Sequence, residues 1–122
     1  MILPLQRNIF DTVPNPTVVA TQTIPAFSAV TSQGQLGSSS NFSHIGKIIG
    51  IAIEDIQVGF SGTVQNIGDL TNPLWSWTPG DVVFLNGTAF QNFPPEVGFA
   101  QVMGMAKTSQ TISVYIGSPI QL

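Results

Sequence analysis

Residues 75–90 read WSWTPGDVVFLNGTAF, a run that spells a turn, a strand, a tight hairpin and a return strand. Trp75 and Trp77 stand two apart, so in extended chain both indoles face the same side and Ser76 faces the other. Thr78-Pro79-Gly80-Asp81 has the composition of a type II turn: Pro79 presets φ at the second position and Gly80 accepts the positive φ of the third. Val82-Val83-Phe84-Leu85 carries the β-branched and aromatic content of a strand. Asn86-Gly87 suits the centre of a type I′ hairpin, which pairs Thr88-Ala89-Phe90 back.

The rest of the chain repeats this vocabulary. Thr17 to Thr23 reads as a strand, and Ile24 to Val30 as another with a bend or edge at Pro25. Residues 31–44, TSQGQLGSSSNFSH, are rich in Gly and Ser without period and read as a loop or mobile excursion. Between Lys47 and Asp55 the run is apolar without alternation, as in a strand buried on both faces, and Gly50 within it marks a bulge or a close backbone approach. Ser61 to Ile67 is a further strand. After the tryptophan hairpin, Pro94-Pro95 stiffens a loop, and Val102-Met103-Gly104-Met105-Ala106 matches Ile48-Ile49-Gly50-Ile51-Ala52 in character position for position. Ile112, Val114 and Ile116 then alternate cleanly. Two such strand pairs point to a pseudo-symmetric β architecture. No stretch carries a capped 3.6-residue period, so no substantial helix is expected.

These elements predict an all-β fold, a small sandwich or barrel of about seven to eight strands. Its single domain spans residues 17–122. Residues 1–16, MILPLQRNIFDTVPNP, precede it as an extended N-terminal arm, because three prolines interrupt any helix or central strand there. The arm's Ile2, Leu3, Leu5, Ile9 and Phe10 are candidate contacts to a neighbouring subunit or the shell, with closure of the domain's own core as the alternative.

Charged residues form only 7% of the chain, against roughly 25% in an average soluble protein. The uncharged polar surface this leaves suits burial against partners or work outside the cytosol. With Arg7, Lys47 and Lys107 as the only cations and a net charge of -3, there is no basic stripe for phosphates, so nucleic acid is not an expected partner. No apolar run approaches the roughly 18 residues of a membrane-crossing helix, and no membrane partner is expected. The apolar start, broken by Pro4, makes a poor signal peptide.

Chemistry-bearing groups are sparse. The chain has no cysteine and one histidine, His44. Its serine-rich neighbourhood lacks the constrained nucleophile and the oriented base of a hydrolase. The carboxylates Asp11, Glu54, Asp55, Asp69, Asp81 and Glu96 sit mostly in expected turns and loops, without glycosidase or calcium-loop spacing. No catalytic residue, metal or cofactor is expected. Trp75 and Trp77 remain as candidate partner-binding residues, through packing at an interface or as a platform for sugar rings.

The order IIGIAIEDIQVGFSGTVQNIG (48–68), then WSWTPGDVVFLNGTAFQNFPPEVGFAQVMGMAKTSQTISVYIG (75–117), resembles the small β domains of tailed-phage structural proteins, especially head decoration (cement) proteins and related tail-fibre modules. Those domains share a "Val-Gly-Ile-Ala-x-x-Asp" strand, a "Gly-x-Val" strand, a "Pro-Gly-Asp-x-Val" turn and strand followed by Tyr or Phe, and a closing "Val-Gly-x-Ala" strand. The resemblance implies a non-enzymatic virion component on the outer surface of the capsid. It implies the major capsid protein as partner, and a homo-oligomer, a trimer, at local threefold positions. It transfers no individual functional residue. A tail-fibre or baseplate module and a sugar-binding β domain are the alternative expectations.

Overall fold

The computed structural model describes residues 14–122, in which regular structure is extended apart from one 3-10 turn at Phe42–His44. In chain order the strands are β1 (Thr17–Val19), β2 (Ala29–Thr31), β3 (Ile48–Ala52), β4 (Ser61–Gln65), β5 (Ile67–Thr71), β6 (Val82–Asn86), β7 (Ala89–Gln91), β8 (Phe99–Ala100), β9 (Val102–Ala106), β10 (Thr111–Tyr115) and β11 (Ile120–Gln121). They form a four-stranded sheet ordered β1-β4-β3-β2, a five-stranded sheet ordered β5-β10-β9-β6-β7 and a two-stranded ladder of β8 with β11. The fold is therefore an all-β sandwich, with more and shorter strands than expected. Only Asn66 separates β4 from β5, so one length of chain leaves the first sheet and enters the second, a corner typical of packed β layers.

The turn before β6 forms as read: Gly80 has φ 95°, and the Asp81 amide donates to the Thr78 carbonyl at 2.9 Å. The Asp81 carboxylate also accepts the Thr78 amide at 3.0 Å. The hairpin differs by one residue. Asn86 pairs with Ala89, so the two-residue loop is Gly87-Thr88 rather than Asn86-Gly87. Of the three, only Gly87 has positive φ, 63°, which places glycine first in the loop, as a II′ turn requires, where I′ would need two such residues.

The strand expected over 17–23 ends at Val19 and that over 24–30 narrows to Ala29–Thr31. Between them the chain turns, and Ile24 makes an isolated bridge to Ile56. Of the stretch 31–44, Thr31 closes β2 and Phe42–His44 forms the 3-10 turn, and the loop between them is tied down at Ser39. The Ser39 side chain accepts the Gly87 amide at 2.7 Å, its amide donates to the Gly87 carbonyl at 2.9 Å, and its carbonyl accepts the Phe99 amide at 3.0 Å. A glycine stands at 98 because a Cβ there would overlap the Ser39 carbonyl.

The two sheets repeat one another. Ala29 faces Ile51, Val30 faces Gly50 and Thr31 faces Ile48, which leaves Ile49 as an extra, bulged residue. In the second sheet Val82 faces Met105, Val83 faces Gly104 and Phe84 faces Val102, with Met103 bulged. On the other side of each central strand, Ile51 faces Gln65 and Ala52 faces Val64, as Met105 faces Ser113 and Ala106 faces Ile112. The outer strand follows suit, since Thr17 pairs with Thr63 as Thr71 pairs with Thr111. The strand orders β1-β4-β3-β2 and β5-β10-β9-β6 therefore correspond strand for strand and residue for residue, and the pentapeptides IIGIA and VMGMA occupy equivalent places.

An extra residue resets the alternation of a strand. Ile48 and Ile51, three apart, both join the main core with Ala29, while Ile49 and Ala52 turn to a second cluster. The main core is completed by Leu70, Val83, Leu85, Phe99, Met103, Ala106, Ile112 and Val114 from the second half. The second cluster covers the far side of the first sheet with Ala20, Ile24 and Ile56 on Val30, Ala52 and Val64. β3 is thus buried on both faces, which is why it reads without alternation. Burying side chains such as Phe99, Ile51 and Met103 contributes roughly 1.5–3 kcal/mol each before ordering costs.

Beside each bulge the strand on the opposite side, β4 in the first sheet and β10 in the second, lies so close that only glycine fits. A Cβ at Gly104 would overlap the Ser113 carbonyl and one at Gly50 the Gln65 carbonyl, both backbone atoms. Gly104→Ala should therefore lower unfolding stability by roughly 1–3 kcal/mol, read as a lower midpoint in chemical denaturation. An unchanged midpoint would contradict the packing described.

Candidate functional site

The residues singled out from the sequence separate into distinct places. Ile2, Leu3, Leu5, Ile9 and Phe10 lie outside the described residues. Trp75 and Trp77 are partly buried and pack on the main core. Trp75 meets Phe27 edge-on with ring centroids 5.5 Å apart, and the two indoles are inclined at 57°. Tilted rings set against a core present no coplanar exposed platform. The Trp77 ring nitrogen is itself buried without an acceptor. Inter-sheet packing therefore accounts for most of both side chains.

His44 is buried beneath the serine-rich loop. Its Nδ1 accepts the Ser38 amide at 3.1 Å, which leaves the ring proton of the neutral form on Nε2. Burial first, and Lys47 second, lower its pKa. The serines near it are engaged locally: Ser38 and Ser40 hydroxyls bond each other at 2.8 Å, and the Ser43 hydroxyl donates to Asn41 at 2.7 Å. The imidazole organises a loop, and among the described residues no carboxylate orients it. Asp55 accepts the Ala26 amide at 2.8 Å. Asp69 forms an exposed ion pair with Lys107 at 2.7 Å, of a kind that contributes little to stability. Among the described residues no three of His, Cys, Asp and Glu come together to hold a metal ion.

The feature that remains is a surface. On the outer side of the second sheet, away from the main core, β6 presents Val82 and Phe84, β9 presents Val102 and Met105, and β10 presents Ser113 and Tyr115. Val82, Val102, Gly104, Met105, Ser113 and Tyr115 line a groove of about 420 Å³. Ile67 extends it across β5 as the cross-strand partner of Tyr115. Met105, Ile67 and Tyr115 are 51%, 60% and 67% exposed. The other end of this face is polar: Thr71 and Thr111 hydroxyls bond at 2.7 Å beside the Asp69–Lys107 pair. A solvated outer face of an antiparallel sheet ordinarily alternates to polar residues throughout, whereas this one turns apolar at one end, a feature that contact surfaces share.

The internal correspondence sharpens this. Met105, Val102 and Val82 occupy the places that Ile51, Ile48 and Ala29 occupy in the first sheet. There all three are buried, at 0%, 7% and 0% exposure, because the second sheet lies on them. The second sheet offers the same face without a second layer over it among the described residues: Val82 and Val102 are half-buried, Gly117 lies against Val102, and Met105 stays 51% exposed. Sequence reading missed this site because the outward positions become assignable only once Met103 is known to be the bulged residue. The match of VMGMA to IIGIA was the signal that could have found it.

No protein-family model matches the chain, and no curated protein matches it.

The neutral imidazole of His44 has a pH consequence. With its folded pKa below the ordinary 6.5, the unfolded chain binds the proton more readily between the two values, so stability falls as pH drops through that window. Above pH 6.5 the full contribution is present. Denaturation midpoints at pH 7.5, 6.5 and 5.5 should fall more steeply for the native chain than for His44→Gln, which lacks the titration. Equal slopes would contradict the buried neutral ring.

Proposed function

We propose that this chain is a non-enzymatic virion structural protein, a head decoration protein of a tailed phage that binds and stabilises the capsid lattice as a homo-oligomer. The observation that carries the reading is the apolar outer face of the second sheet on a body with 7% charged residues. Such a face is stabilised by contact with polypeptide, and charge-poor surroundings lower the desolvation cost of that contact. The arrangement supports assembly better than catalysis, because the polar side chains it places together serve turns, loops and strand ends. The choice of a phage head over other assemblies rests on the resemblance of about residues 46–117 to decoration domains. A trimer fits that placement, since a cyclic oligomer closes on itself through one repeated heterologous contact.

Purified protein mixed with mature capsids lacking it should co-sediment with them to saturation. Failure to sediment with shells at any molar ratio, or association with tails instead, would overturn this function.

A further inference from the structure

The groove on the second sheet has a definite shape and chemistry, and these select an occupant. Its walls are Val82, Val102, Met105 and Tyr115, its floor includes Gly104, and its polar side-chain groups are the hydroxyls of Ser113 and Tyr115. Among the described residues no charged side chain lines it. A volume of about 420 Å³ takes a few apolar side chains from an extended segment and is too small for a folded body. Extended, proline-containing segments suit such grooves because they lose little ordering entropy on binding.

The chain carries an apolar, proline-containing segment outside the described residues. Residues 1–13, MILPLQRNIFDTV, contain Ile2, Leu3, Leu5, Ile9, Phe10 and Val13, with Arg7 and Asp11 as their only charged side chains. The point at which this segment joins the described fold is known. The Asn15 amide donates to Asn66 Oδ1 at 3.0 Å, and the Pro16 carbonyl accepts the Val64 amide at 2.8 Å. Asn66 adjoins Ile67, whose cross-strand partner Tyr115 lines the groove. The segment therefore starts beside the second sheet's apolar face. Thirteen residues reach at most roughly 43–47 Å, whereas crossing from β5 to β6 takes only three strand spacings, about 14 Å. The remaining length is enough to reach an adjacent molecule.

We propose that residues 1–13 of one copy lie in the apolar groove on the outer face of the second sheet of a neighbouring copy. The inference rests on the reading of the chain as a self-assembling protein and names the partner of that same face. It supplies to Met105, Val102 and Val82 the cover that the second sheet supplies to Ile51, Ile48 and Ala29. Because arm and groove are different surfaces, the contact is heterologous, and copies related by a rotation axis can each give an arm and receive one.

The chain has no cysteine, so introduced thiols report on this contact alone. Full-length Ile9→Cys and Met105→Cys proteins would be purified separately, mixed in equal amounts and mildly oxidised. Ile9→Cys mixed with Leu74→Cys serves as control, since Leu74 is highly exposed in the 72–80 loop, outside the groove. The expected result is a disulfide-linked pair from the first mixture about tenfold more abundant than from the control, through the raised local concentration of docked groups. Leu5→Cys and Phe10→Cys repeat the test along the arm. Yields no higher than control at all three arm positions would overturn the proposal. So would linkage found only within single chains of an Ile9→Cys/Met105→Cys protein. Capsid sedimentation separates the two readings: cross-linking without capsid binding upholds the arm contact and removes the decoration role, whereas capsid binding without cross-linking removes the arm contact alone.

Discussion

The structure depends on one extra residue in each central strand. Ile49 in β3 and Met103 in β9 are bulged next to a glycine, and each glycine lets a neighbouring backbone approach more closely than any Cβ would allow. The extra residue moves positions three apart onto one face. In β3 this sends Ile48 and Ile51 to the main core and Ile49 with Ala52 to the second cluster. In β9 it sends Met103 and Ala106 inward and leaves Val102 and Met105 outside. The same backbone device thus produces a strand buried on both faces in one sheet and a strand with an apolar outer side in the other.

The difference between the two sheets is what lies beyond them. The first sheet is enclosed, by the second sheet on one side and by Ala20, Ile24 and Ile56 on the other. The second sheet has the first on its inner side and, among the described residues, no further layer on its outer side, where Val82 and Val102 are half-buried and Met105 is exposed. Equivalent positions with unequal cover are a physical reason to look for a partner at the outer face. The low charge of the chain and the apolar residues of 1–13 fit an assembly reading by the same logic.

Much of the fold was legible because local chemistry and tertiary structure agree. Thr78-Pro79-Gly80-Asp81 forms its turn, and the Val82–Asn86 strand pairs with the return strand after Gly87. The likeness of IIGIA to VMGMA reports a true equivalence of register. The errors come from places where longer-range contacts decide. Asn86-Gly87 is a strong local turn signal, yet the pairing of Asn86 with Ala89 shifts the loop by one residue. Residues 31–44 have a loop's composition, but Ser39 ties them to Gly87 and Phe99, partners roughly fifty to sixty positions away that no local window contains. Trp75 and Trp77 were legible as a pair on one side of the chain, and only the packing of Phe27 and the main core shows how much of each ring is enclosed. The outer groove was the least legible feature, since without the bulge a period-two reading assigns Met105 and Val102 to opposite faces.

The central claim is that the outer face of the second sheet is covered in the assembled protein. Methionine oxidation measures it directly, because Met105 sits on that face and Met103, two residues away, is fully buried. Oxidation of a thioether requires access to the sulfur. Under brief peroxide treatment of the intact, assembled protein, read by peptide mass spectrometry, Met105 should oxidise at a rate closer to that of Met103 than to that of free methionine. Oxidation of Met105 at the free rate in the assembled state would contradict the account.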